Sequence, residues 1–461
     1  MSANKYKMDM TTGSLPVKIF KYMIPLGLTY LLQMMFHAAD LAVIGRFASN
    51  DSLAAIGTTG TTLGVIVNLF VGISIGANAL VARCYGAKDS KNIMRATHTS
   101  IAIALIGGFI SLFIGMVASR SMMVAIDVPE KLMPAALCYL RICFLGTPFM
   151  LLYNFGSAIL RAFGDTRRPL RFLIYSGIIN VLLNIVLVVA LKLDVAGVAI
   201  ATVISQAVSA FLVLRVLVQS HGACRVHLRN IRIDLTSLKH ILLIGIPAGI
   251  QSSCFALSNL IIQGAINSFG AVAMAAITAT NTLEWGLYSW CYALHQTAIS
   301  FIGQNLGANN NRRIISCFTV CSVYGALISL VLGWAMFMNI EPLLKLFSKD
   351  VTPEFLHWAY LRVQMLFTTY ALLGFMDTAT GALRGLGVSI FPMITTILMA
   401  CVFRIWWVNT IFSKMPTMRV LMASYPVSWL LVTVICWAAF AFIMRKKLQR
   451  ERFKSTRAPV R

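Results

Sequence analysis

The chain has 461 residues, 58% of them hydrophobic and 12% charged, with a formal net charge of +24. A water-soluble domain has no means of burying so much apolar surface, so composition excludes an ordinary soluble protein. The charge does not point to a nucleic-acid partner either, because most of the 39 Lys and Arg gather in the terminal segments and in alternate loops, where membrane topology places them.

In chain order, residues 1–17 form a short polar tail, and twelve apolar runs follow. They are predicted at 18–46, 53–82, 96–118, 134–162, 170–191, 195–218, 238–267, 273–302, 314–338, 355–384, 389–411 and 424–444. Each is long enough to cross a hydrocarbon core of about 30 Å. Helices fit these lengths, whereas a membrane barrel would show short alternating strands. The first run is too long for a cleaved signal peptide and is read as a span. Residues 18–218 make an N-terminal lobe, the polar and basic segment 219–237 a cytoplasmic linker, and residues 238–444 a C-terminal lobe. The tail 445–461, opening Arg445-Lys446-Lys447, is expected to be disordered or lipid-bound.

The two lobes repeat one another. Cys84-Tyr85-Gly86-Ala87-Lys88 returns as Asn305-Leu306-Gly307-Ala308-Asn309. Ser157 through Gly164 returns as Thr380 through Gly387, Ile24-Pro25 as Ile246-Pro247, and Pro169 as Pro392. An even number of spans per copy makes the second copy enter from the same side as the first. The prediction is therefore an all-α integral membrane protein. Its twelve helices form two six-helix bundles related by a parallel pseudo-two-fold axis along the membrane normal. Both termini and the basic loops fall on one side, the cytoplasmic one by the positive-inside rule. Asp51, Asp127, Glu130, Glu341, Asp350 and Glu354 fall on the other.

The ten cysteines are scattered, without a CxxC or a Cys/His cluster, and read as small buried residues rather than metal ligands. No HExxH, GxSG-like or paired-Asp motif marks an intramembrane enzyme, and no GxxxxGK[ST] loop would bind ATP. Neither catalysis nor a cofactor is expected. The residues of interest are instead carboxylates inside spans, which are costly to place in lipid and by default functional.

Asp40 lies about 20 residues into span 1, roughly 30 Å along a helix rising 1.5 Å per residue. Gln33, His37 and Asp40 share one face of that helix. Burial disfavours a charged carboxyl, which suits a group that binds and releases protons near neutral pH. The alternative is an acid that merely joins helices through hydrogen bonds. In span 8, Glu284, Tyr288, Tyr292 and His295 also share a face. A carboxylate beside aromatic rings suits an organic cation, although tyrosine faces also pack on neighbouring helices. Asp377 stands two turns before Arg384, as a salt bridge, a gate or a cargo contact. His37 and His295 are proton relays or structural hydrogen-bonding groups. Arg161 and Arg384 read as cytoplasmic helix-end anchors, and Arg404 needs a partner inside span 11. Pro25 and Pro247 are expected to bend spans 1 and 7.

The chain resembles the multidrug and toxic compound extrusion (MATE) family along its whole length. The resemblance rests on Pro25, Asp40 and Gly45 of span 1, Tyr85-Gly86-Ala87, and Leu160-Arg161-Ala162-Phe163-Gly164-Asp165-Thr166. Gly197-Val198-Ala199-Ile200-Ala201-Thr202 and Gly303-Gln304-Asn305-Leu306-Gly307-Ala308 complete it. It implies two six-helix bundles on a central cleft, and export driven by a Na⁺ or H⁺ gradient. It also implies that Asp40 couples cation flow, joined by Asn180, Asn184 and Thr202. Interhelical hydrogen bonding is the other reading of the two asparagines. Related transporters often carry Asp at the Asn184 position, and its loss here favours H⁺ over Na⁺. The expected protein is a monomeric antiporter of the bacterial cytoplasmic membrane, in contact with lipid. Its cargo would be small organic cations or amphiphiles. A flippase of lipid-linked sugars shares the broad fold, but should show a basic cleft, whereas the intramembrane charges here read as mostly acidic.

Overall fold

The structure, a computed structural model, describes residues 7–47, 50–345 and 351–456. Asp350 of the expected acidic loops lies outside the described residues. No strand occurs among the described residues. The first repeat builds α1 (Leu15–Phe47), α2 (Asn50–Gly86), α3 (Ser90–Ala125), α4 (Met133–Ala162), α5 (Arg167–Asn184) and α6 (Asp194–Gln219). The second builds α7 (Leu235–Asn267), α8 (Ala271–Gly307), α9 (Asn311–Met338), the short α10 (Ile340–Lys345), α11 (Pro353–Phe367) and α12 (Ala371–Gly385). It ends with α13 (Ile390–Thr396), α14 (Phe403–Trp407) and α15 (Met418–Thr456). Wider π turns extend α5 over Ile185–Ala190 and join α13 to α14 over Ile397–Val402, and a third follows α14 over Val408–Phe412.

All twelve expected spans have helical counterparts. Among the described residues, ten helical stretches are long and apolar enough to cross a membrane by themselves. The other two spans explain their own exclusion. Helix α8 is diluted by Thr278, Thr280, Asn281, Thr282 and Glu284. The tenth span, expected as one helix over 355–384, is broken at Thr368–Tyr370 into α11 and α12. There the Thr369 hydroxyl bonds back to the Met365 carbonyl at 2.7 Å. Large apolar side chains such as Phe113 and Phe442, 70% and 69% exposed, face outward, as they do where the solvent is lipid.

The repeat is visible in the backbone. Lys88 and Asn309 both adopt left-handed φ, at 55° and 54°. Gly164 and Gly387 do so at 87° and 85°, a conformation that glycine enters without a Cβ clash. Asp165 and Val388 each close the turn by donating to the carbonyl five residues back, at 2.9 Å in both copies. Asp89 and Asn310 cap the next helices, each accepting from the backbone N–H three residues on. The same chain chemistry thus ends and restarts helices at corresponding points.

By internal contact the chain divides into two units. One comprises residues 1–9 and 28–249, the other 10–27 and 250–461. Besides the one after residue 9, the divisions fall inside α1 and α7, two residues beyond Pro25 and Pro247. In the first unit, Ile73, Val81, Leu151, Phe155, Ile159, Phe163, Val213 and Leu217 form the core. In the second, residues 10–13 are tied to the α8–α9 turn. Met10 donates to Gln304 at 3.2 Å, and its carbonyl accepts from Asn305 and Arg313 at 3.2 and 3.1 Å. The amides of the Gly303–Ala308 motif thus hold the chain's entry segment. At the other end, α15 continues to Thr456, so residues 445–456 are helical rather than disordered.

Candidate functional site

Asp40 lies on α1 in the first unit, where α1, α5 and α6 bring four polar side chains together. Asn184 Nδ2 donates to Asp40 Oδ1 at 2.6 Å, and Thr202 Oγ1 to Asp40 Oδ2 at 3.3 Å. Asn184 also donates to Asn180 Oδ1 at 3.2 Å, and Asn180 reaches Thr202 at 3.5 Å. Asn180 and Asn184 are i,i+4 on one helix face, so both amides point at the same spot. Asn184 is fully buried, and its Oδ1 has no partner among the described residues. Close approach of α1 and α5 depends on Gly177, where a Cβ would fall 1.8 Å from Phe36 Cζ. Asp40 is half-buried, whereas Gln33 and His37 are exposed. Asp40, Asn180, Asn184 and Thr202 therefore form one cluster, and Gln33 takes no part in it.

This cluster fits an ionised carboxylate, since Asn184 and Thr202 donate to both of its oxygens. It also fits a protonated one, because the spare carbonyl of Asn184 can accept a carboxyl O–H after a turn of the side chain. For a hard cation it offers one carboxylate, one hydroxyl and the amide oxygens, all oxygen ligands.

The second unit holds a different arrangement. Glu284 is bound by Arg362, which also donates to Thr280 and Asn281. Arg362 is 3% exposed. It was not singled out from sequence, although a charge in the apolar run Phe355–Phe367 was the signal for it. Tyr288 and Tyr292 stack at 6.0 Å, and Tyr292 and His295 at 5.7 Å, so the expected aromatic face exists. His295 is buried and both its ring nitrogens are engaged. Arg384 Nη1 lies 3.0 Å from Nε2, and the Asp377 carbonyl 2.8 Å from Nδ1. An arginine only donates, so Nε2 accepts and Nδ1 carries the hydrogen. This fixes the tautomer of a neutral ring held between Arg384 and the Asp377 carbonyl.

Arg384 also donates to Gln251 on α7 at 2.7 Å. Arg161 and Arg384 are 7% and 4% exposed, so neither is a surface anchor at a helix end. Asp377 is 8% exposed with Oδ2 unpartnered among the described residues. Arg404 forms no ion pair with an acid among the described residues. Its Nε donates to Ser428 at 3.0 Å and its guanidinium lies 4.1 Å from the Tyr425 ring centroid. Within the spans of this unit, Arg362, Arg384 and Arg404 outnumber Glu284 and Asp377. The expectation of mostly acidic intramembrane charge fails here, because the apolar run Phe355–Phe367 masks Arg362 and Arg384 is buried rather than at the surface.

A duplicated all-helical membrane fold of this kind is a common build of membrane transporters. The MatE family model matches residues 25–186 and again 247–408, and the chain belongs to this family of membrane transporters. It is 26% identical to a probable multidrug resistance protein, YoeA, of Bacillus subtilis, over 92% of this chain and 93% of that one. It is 25% identical to an FAD transporter of Shewanella oneidensis, over 92% and 95%. A solved transporter of the MOP superfamily from Pyrococcus furiosus shares the fold. It has a TM-score of 0.88 at 19% identity, covering 95% of this chain and 98% of that one.

Proposed function

We propose that this chain is a cation-driven antiporter that exports amphipathic organic compounds, cationic ones among them, by alternating access. The observation that carries the reading is the Asp40–Asn184–Asn180–Thr202 cluster in a MatE-family transporter. Relatives named for multidrug resistance support the cargo class. A flippase of lipid-linked sugars finds no such support.

The driving ion is H⁺ rather than Na⁺. A single carboxylate stands among neutral amides, and Asn184 can serve both protonation states by presenting its N–H or its carbonyl. Inward cation flow supplies about 2.3 kcal/mol per charge per 100 mV. Tyr288, Tyr292 and Glu284 provide an aromatic and acidic face for cargo, on which a cationic compound would compete with Arg362 for the carboxylate. The protein works as a monomer in the bacterial cytoplasmic membrane with both termini inside.

The test is efflux of ethidium from proteoliposomes under an imposed pH or Na⁺ gradient. Export under the pH gradient without Na⁺ is expected. Strict Na⁺ dependence at fixed pH would replace the ion, and no gradient-driven movement of any dye would remove the antiporter reading.

A further inference from the structure

Helix α15 carries one exposed stripe. Leu430, Val434 and Phe442 are 48%, 58% and 69% exposed, and Ala438 and Ala441 between them are exposed as well. Spacings of three and four residues put all five on one side of the helix. The other side, with Cys436, Phe440 and Met444, is buried in the second unit. An apolar stripe turned outward on a spanning helix faces lipid.

The apolar run ends at Met444, but the helix continues to Thr456. There the stripe runs on without a break into Arg445, Lys446, Gln449 and Arg450, all exposed. Residues 442–450 contain no acid. Met444, Leu448 and Glu451 recur at i, i+4 and i+7, on the packed side. Glu451 accepts there from Asn311 of the α8–α9 turn. This contact, with buried Met444 and half-buried Leu448, keeps the basic side of the helix in line with its lipid-facing side. The side chains that leave the hydrocarbon toward lipid are therefore cationic, at the level of the headgroup phosphates. Arg445 and Arg450 are about 7.5 Å apart along the axis, and their long stems can lie along the apolar boundary with the charge in the headgroup layer.

We propose that Arg445, Lys446 and Arg450 form a docking surface for an anionic phospholipid, with Gln449 between them as a further donor. The acyl chains lie along Val434 and Phe442. The phosphate meets the two guanidinium forks and the ammonium group. A zwitterionic headgroup fits less well, because its own cation is repelled by the same three side chains. That the lipid belongs to the cytoplasmic leaflet rests on the orientation proposed above, but the surface itself does not.

The probes are dioleoyl phosphatidylglycerol and dioleoyl phosphatidylcholine, which share their chains and phosphate and differ in net charge. Binding to the purified full chain in detergent micelles is read by native mass spectrometry. Wild type is expected to prefer phosphatidylglycerol by about tenfold or more, since each basic residue at the headgroups is worth about fivefold. Arg445→Gln, Lys446→Gln and Arg450→Gln combined should bring the ratio close to one, and each alone should lower it in part. Lys414→Gln removes an exposed cation just before the other end of α15 and should leave the ratio unchanged. All four positions are exposed, and thermal unfolding with phosphatidylcholine alone checks that the variants keep the fold. Equal binding of the two lipids by wild type overturns the proposal. So does an unchanged ratio in the triple variant, or an equal loss in Lys414→Gln, which would spread the attraction over the whole charged surface. Release of the bound lipid by millimolar inorganic phosphate would also overturn it, giving the surface to a free anion. Cysteine labelling that puts the termini outside would move the lipid to the other leaflet and leave the surface standing. Loss of the preference in the triple variant would support the surface whether or not any dye is exported.

Discussion

Asn184 donates its amide N–H to Asp40 at 2.6 Å across 144 residues of chain, while its own carbonyl oxygen stays buried, with no partner among the described residues. The carboxylate is thereby satisfied when ionised, and an acceptor waits for it when protonated. Asp40→Asn removes the group that changes charge and keeps its size. The variant should fold and reach the membrane, with gradient-driven export reduced to the leak. Wild-type efflux rates in proteoliposomes holding the Asn variant would end the assignment of coupling to Asp40.

Asn184→Asp asks which ion the cluster prefers. It places a second carboxylate within hydrogen-bond distance of Asp40, and two such groups cannot both remain charged without a cation between them. The pair would hold one proton or one Na⁺ in common. Transport by the variant should gain a Na⁺ dependence that wild type lacks, measured as efflux at fixed pH with and without Na⁺. Identical Na⁺ responses in both proteins would argue that the amide is structural.

Most of the architecture was legible in the sequence, because lipid forces each span to be a long apolar helix. The repeat offset was readable for the same reason as the matched φ values of Lys88 and Asn309: both copies need the same turn. Asp40, Asn180, Asn184 and Thr202 could be brought together through the family resemblance, since i,i+4 spacing aligned the asparagines but no local pattern linked α1 to α5. What stayed hidden were partnerships between distant segments. Arg362 and Glu284 are 78 residues apart, and Arg384 reaches Gln251 across 133. Hydropathy smooths a single arginine into its apolar run, so the basic interior of the second unit was missed.

Gly177 keeps the Asp40 cluster assembled. Its ideal Cβ would lie 1.8 Å from Phe36 Cζ, so Gly177→Ala must move a ring or part α1 from α5. Overpacking of this kind costs about 1–3 kcal/mol. Thermal unfolding in detergent should show the loss, and export should fall with it as Asn184 leaves Asp40. Adding Phe36→Ala should recover part of both. Additive losses in the double variant would mean that the two sites do not share this contact.

Orientation is tested by single cysteines in a background lacking the ten native ones. An impermeant thiol reagent outside the cell should reach positions beside Asp127 and Glu354. It should miss positions beside Lys88 and Arg313, on the side where the positive-inside rule concentrates Lys and Arg. The opposite labelling pattern would invert the topology.

Arg362 and Glu284 form an ion pair at 3% and 18% side-chain exposure, and its worth depends on which partner is removed. Arg362→Met strips a carboxylate of its cation and leaves Thr280 and Asn281 without their donor as well. Breaking a buried pair this way costs about 3–5 kcal/mol, whereas replacing both charges by apolar groups is often neutral. Glu284→Met alone should cost less than Arg362→Met, since the guanidinium keeps its two neutral acceptors. The double variant should be more stable than Arg362→Met by thermal unfolding. Transport separates the remaining roles. If Glu284 also meets cationic cargo, Glu284→Gln should impair ethidium export more than that of a neutral dye. Equal impairment of both would confine the acid to holding α8 against α11, and leave cargo recognition to the aromatic face of Tyr288 and Tyr292.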